Sequence, residues 1–232
     1  MPERLQQTAI LIFTRTARLE AAVKTFDQAV GKSGNREIAQ QLIRQTIAEA
    51  RRSRLPVFVN YDDEPERGTF GEHLADAIES VFQKGYDKVI AIGNDCPDVS
   101  AALLQNTAQR LSDHTLVLGP ANDGGVYLIG IHKAAYRRRT FIALPWESAQ
   151  LQDAWETYGP DDCASPEWLE AFDDVDHARD FKKMLLRLPR WSRLIFHLLS
   201  ILASFHRAPV FERRAFRPDA QTRLTPLRGP PC

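Results

Sequence analysis

Cysteine is scarce in this chain of 232 residues: there are three, Cys96, Cys163 and Cys232, and no CxxC pair. So sparse and scattered a set excludes a disulfide framework and a zinc ribbon, and fits a reducing cytoplasm. Long apolar runs are missing as well. None approaches the roughly 18 residues of a spanning helix, and the short run at 9–13 has neither the length nor the flanks of a signal peptide. Net charge is absent, with 30 basic residues against 30 acidic ones, so total charge points to no partner. No recognisable nucleic-acid module is present, which leaves such binding without support.

The distribution of charge is uneven. From Lys182 onward there are eleven Lys/Arg against two Asp/Glu, so the body is acidic and the C-terminal segment basic. Hydrophobic residues make up 44%, enough for one well-buried core. Apolar, β-branched runs at 8–14, 56–61, 87–93, 115–119 and 126–131 read as strands. Helical stripes at 36–52, 70–84 and 101–111 alternate with them. Such alternation predicts an α/β fold with a mostly parallel mixed sheet and helices on both faces. Helices are expected again at 147–158, 178–188 and 191–205. The expected organisation is a domain over 1–188, an amphipathic basic helical extension over 189–216, and a flexible tail over 217–232 that holds four prolines.

The segment Gly93-Asn94-Asp95-Cys96-Pro97-Asp98 carries the most chemistry. A buried strand ends in glycine and two carboxylates follow, where open α/β sheets gather their ligands. Aspartates there can give hard oxygen ligands to Mg²⁺ or Mn²⁺; alternatively, Asp95 or Asp98 caps the next helix. In Asn122-Asp123-Gly124-Gly125 the paired glycines make either a hairpin turn or a floor that a ligand approaches closely. Asp174 and Asp176 alternate, so an extended backbone puts both on one side; Asp176 equally suits an N-cap. Gly31-Lys32-Ser33 lacks the first glycine of a P-loop, and Cys96 has no base partner that the sequence selects.

The ordered motifs GNDCPD, LVLGPANDGGVYLIGI, FIALPW and DDVDHARDF together resemble a bacterial family of domains of unknown function, usually described as glycosyltransferase-like. The likeness runs from about Thr8 to Leu188. It implies the GT-A, nucleotide-diphospho-sugar transferase fold, similar to guanylyltransferases acting on phospholactate and molybdopterin. By that resemblance Asp95 is a metal-binding aspartate, and Asp95 and Asp123 are the catalytic carboxylates. Asp174 or Asp176 supplies a further metal ligand, and Trp146 lies in the acceptor wall. Arg15, Lys24, Thr25, Gly93, Asn94, Gly124 and Gly125 fall where the donor binds. The chain departs from the pattern at Ala21, which replaces a glycine, and at Phe26 and His73, which replace arginines. The resemblance therefore implies a metal-dependent glycosyl or nucleotidyl transferase taking a nucleotide or nucleotide-sugar. The departures imply, as the alternative, a degenerate nucleotide-binding or regulatory protein.

The acceptor has no sequence signature. The run 191–205 has a wide apolar face, with Arg193, His197, Ser200 and Ser204 as a narrow polar stripe. It is expected either to dock on the body of the domain or a second copy in a homodimer, or to lie peripherally on the inner face of a membrane.

Overall fold

The computed structural model describes residues 7–64, 67–158, 165–189 and 192–206. Cys163, Cys232, Trp191 and the tail expected at 217–232 lie outside the described residues. Six strands form one sheet: β1 (Thr8–Thr14), β2 (Val57–Tyr61), β3 (Lys88–Ile92), β4 (Leu116–Pro120), β5 (Val126–His132) and β6 (Glu167–Trp168). Their order is β2-β1-β3-β5-β4-β6. β1 runs parallel to both β2 and β3, and β4 parallel to β6, while β5 is antiparallel to both its neighbours.

Strand β1 shows why both faces are covered. Ala9, Leu11 and Phe13 point into one apolar cluster with helix α3 (Phe70–Gln83). Ile10 and Ile12 point into the opposite cluster with α4 (Ala101–Arg110). A strand buried on both faces reads as an unbroken apolar run rather than an alternating one. A third cluster joins α2 (Gly31–Arg52) to α7 (Ala178–Arg187) and α8 (Arg193–His206). Leu194 and Leu198 of α8 are buried there, while Phe196 and Leu199 stay 67% and 48% exposed. The apolar face of the described part of this run thus packs largely on its own chain, through Leu194, Leu198, Ile201, Leu202 and Phe205. Among the described residues no helix is long and apolar enough to cross a membrane.

Several boundaries differ from the sequence expectation. The basic stretch after β1 contains helix α1 (Ala17–Val23), since Ala-Arg-Leu-Glu-Ala-Ala favours helix and nothing in it breaks one. Helix α2 starts at Gly31 rather than residue 36, because the Asn35 side chain accepts from the Phe26 and Asp27 N–H groups and donates to the Gly31 carbonyl. The helix expected over 147–158 is shorter, α6 (Leu151–Glu156), and a further short helix, α5 (Arg138–Ile142), precedes it where none was expected. Neither Asp98 nor Asp176 is a cap. Ser100 caps α4 by accepting from Leu103 N–H at 3.2 Å, and His177 occupies the N-cap of α7.

Candidate functional site

The carboxyl ends of β1 and β3 open into a cavity of about 450 Å³, where this sheet topology gathers ligands. Asp95, Asp123, Asp174 and Asp176 all line it, with Arg15, Lys24, Gly93, Asn94, Gly125 and Trp146. Thr25 and Gly124 do not. Thr25 is drawn into a backbone bridge with His177. Gly124 adopts a positive φ of 99° and approaches the Ala149 backbone so closely that a Cβ would lie 3.0 Å from its Cα.

The lining holds seven carboxylates, from Glu20, Asp62, Asp95, Asp123, Glu147, Asp174 and Asp176, against the cations Arg15 and Lys24. Lys24 concentrates much of the compensation. Its Nζ lies 2.8 Å from Asp176, 3.2 Å from Asp95 and 3.6 Å from Glu20. Burial works against its charge, but the carboxylates of Asp95, Glu20 and Asp176 overcome this and raise its pKa well above the ordinary lysine value. Burial likewise raises Asp95, but the Lys24 ammonium outweighs it and holds Asp95 below the usual carboxylate range.

Lys24 offsets Asp174 much less. Burial, then the carboxylates of Asp95, Asp123 and Asp176, push it up to about 8, and its Oδ1 is buried without a hydrogen bond. Asn94 is also half-satisfied: its Oδ1 accepts from Thr14 Oγ1 at 2.8 Å, while its Nδ2 is buried without a partner. A buried donor and a buried acceptor left open at one cavity are the groups a ligand would complete.

Hard carboxylate oxygens and an unpaired Asp174 oxygen suit a divalent cation by donor chemistry. Among the described residues, however, no three His, Cys, Asp or Glu side chains already form a metal cage; Lys24 Nζ stands between Asp95 and Asp176. The donor-binding role expected of Lys24 therefore starts from a lysine engaged with carboxylates. Phe26, where the resembled family has arginine, is core, its ring 5.8 Å from that of Phe181.

Sequence reasoning missed Asp62. It follows β2, lines the main cavity, and accepts or shares a proton with His73 Nδ1 at 2.9 Å. Its position just past a strand end was the available signal.

The family model described as an uncharacterized protein conserved in bacteria (DUF2064) matches residues 19–148; the chain belongs to that family. No curated protein matches the sequence. Among solved structures, a protein of Desulfovibrio desulfuricans G20, provisionally described as a nucleotide-diphospho-sugar transferase, is similar. It shares 21% identity over 87% of this chain and 97% of its own, with a TM-score of 0.67. Rv0371c of Mycobacterium tuberculosis H37Rv is 15% identical over 77% of this chain and 97% of its own, with a TM-score of 0.45. Its complex with manganese gives 14%, 78%, 100% and 0.45 for the same measures. The first of these shows the fold, a mixed α/β sheet of the nucleotide-diphospho-sugar transferase kind.

Proposed function

We propose that this member of the bacterial family is a metal-dependent transferase that takes a nucleotide-sugar or a nucleoside triphosphate as donor. The observation that carries this reading is the acidic cavity at the ends of β1 and β3: seven carboxylates and two cations repel a diphosphate unless a divalent cation comes with it. Asp95, Asp174 and Asp176 would hold that cation. Bound there, it would neutralise charge on the diphosphate and on the leaving group. Arg15 supplies a further positive charge, and Asn94 Nδ2 a buried donor for a ligand oxygen. Phe70 and Trp146, whose ring centroids are 5.4 Å apart, give an aromatic wall for a base or sugar.

The replacement of two family arginines by Phe26 and His73 favours a second reading, a protein that binds donor without transferring it. Thermal-shift measurements with nucleoside triphosphates and nucleotide-sugars, with and without Mn²⁺, test the first step for both readings. A metal-dependent shift with one donor class, lost in Asp95→Ala with the fold intact, supports the site. Equal shifts in parent and variant sink the role of Asp95. Turnover then separates transferase from binding protein. In this reading the protein is cytoplasmic and touches anionic lipid through the exposed Phe196 and Leu199. Flotation with phosphatidylserine vesicles, parent against Phe196→Ser/Leu199→Ser, tests that contact.

A further inference from the structure

A second cavity, about 480 Å³, adjoins the first and shares Arg15, Asp62, Phe70, Trp146 and Glu147 with it. His73 lines only this second space. It projects from the first turn of α3, whose start is fixed by a capping box between Thr69 and Glu72. Its Nδ1 meets Asp62 Oδ1 at 2.9 Å, and the two side chains are only 18% and 9% exposed. Asp62 is itself anchored, its N–H donating to the Thr14 carbonyl at 2.8 Å. A carboxylate partner draws the ring hydrogen to Nδ1 and leaves the lone pair on Nε2. That nitrogen lies close to Gly68, where a Cβ would come within 2.9 Å of it, so a larger residue there would crowd the ring.

We propose, resting on the transferase reading above, that His73 oriented by Asp62 is the base that deprotonates a neutral hydroxyl acceptor held in this second cavity. The acceptor oxygen gives its proton to Nε2 as it forms a bond to the donor's transferred centre, a sugar carbon or the α-phosphorus. The bond to the leaving diphosphate breaks with its electron pair on the departing oxygen, and the imidazolium returns its proton to solvent. The charge around His73 selects the acceptor class. Among the described residues Asp62, Glu72 and Glu147 line the cavity against the single cation Arg15, so a phosphorylated acceptor meets net repulsion, and it would arrive already ionised and need no base. A polyhydroxylated compound can instead lie on Phe70 and Trp146. Glu147, at the boundary of the two spaces, holds a left-handed φ of 59°, a strained backbone of the sort that concentrates at ligand sites.

The test compares parent, His73→Gln, His73→Ala and Asp62→Asn, with UDP-glucose, GDP-mannose, GTP and CTP as donors, Mn²⁺, and glycerol against glycerol 3-phosphate as acceptor probes. Turnover in His73→Gln should fall about 100-fold, the lower range for a lost general base, with donor KM within about twofold of the parent by the same reasoning, since the base does not touch donor. The acid limb of the pH profile should vanish, and added imidazole should partly restore His73→Ala, which a packing role would not allow. Independently of turnover, long-range ¹⁵N–¹H spectra of the parent should show the Nδ1–H tautomer of His73. Parental turnover in His73→Gln with donor binding retained, preference for glycerol 3-phosphate, an Nε2–H tautomer, or binding without any turnover each overturns this proposal while the donor site stands. A parent that binds none of the donors overturns the transferase reading and this proposal with it.

Discussion

Val175 donates its backbone N–H to the carbonyl oxygen of Asp95 at 2.8 Å. This one bond stitches the loop leaving β3 to a segment far along the chain. Val175 is buried, and its neighbours Asp174 and Asp176 both reach the cavity that Asp95 lines. Three carboxylates therefore converge because a backbone contact sets their register, and Lys24 meets two of them.

Replacing Lys24 should expose that convergence. Lys24→Met leaves Asp95, Asp176 and Glu20 without their shared cation. The loss of stability should be about 3 kcal/mol, at the low end for a broken buried pair, because solvent screens the outer carboxylate. Mn²⁺ should then raise the melting temperature of the variant more than that of the parent. Equal melting in EDTA, or no extra gain with Mn²⁺, would show that the lysine does not organise these carboxylates.

Asp174 makes the metal-free protein sensitive to alkali. Its folded pKa, about 8, lies above the unfolded carboxylate value of roughly 4. Between these values the folded state holds a proton that the unfolded state has lost. Stability from this group is thus complete below about pH 4 and lost as pH rises through about 8. Melting temperatures in EDTA should decline from pH 6 to pH 9, and Asp174→Asn should flatten the decline. A parallel decline in the variant would assign the effect to other groups.

Gly93→Ala tests the carboxylate position itself. A Cβ at residue 93 would lie 2.6 Å from Asp95 Oδ1, and Gly93 needs no left-handed backbone, so the side chain of Asp95 is what must move. Donor binding in Mn²⁺ should weaken at least about tenfold, or about 1.4 kcal/mol, while the melting temperature changes little. Titration calorimetry reads the first and a thermal melt the second; unchanged affinity would show that Asp95 need not stay where it is.

Much of this was legible in the sequence. The strands at 8–14 and 87–93 carry the apolar runs Ala9–Phe13 and Val89–Ile92, which burial on both faces explains, and the glycine and carboxylates after the second run marked a strand end. The illegible parts depend on distant partners. Nothing near Lys24 announces that it will meet Asp95 and Asp176, and nothing near His73 announces Asp62. Local competition hid others: the family resemblance implies a basic loop across residues 17–23 although their composition favours helix, and the two residues of β6 are too few to show a period.

The C-terminal helix offers a test of which apolar face does the work. Leu198 is fully buried in the cluster that joins α2, α7 and α8, whereas Phe196, two residues earlier, is 67% exposed. Deleting buried methyl groups costs transfer energy and leaves a cavity, so Leu198→Ala should lower stability by about 2–5 kcal/mol. Phe196→Ala should stay within about 0.5 kcal/mol of the parent, as surface substitutions do. Urea denaturation of the two variants beside the parent measures both values. If Leu198→Ala were as mild as Phe196→Ala, α8 would not be held to α2 by this face in solution, and its apolar residues would be free for another partner.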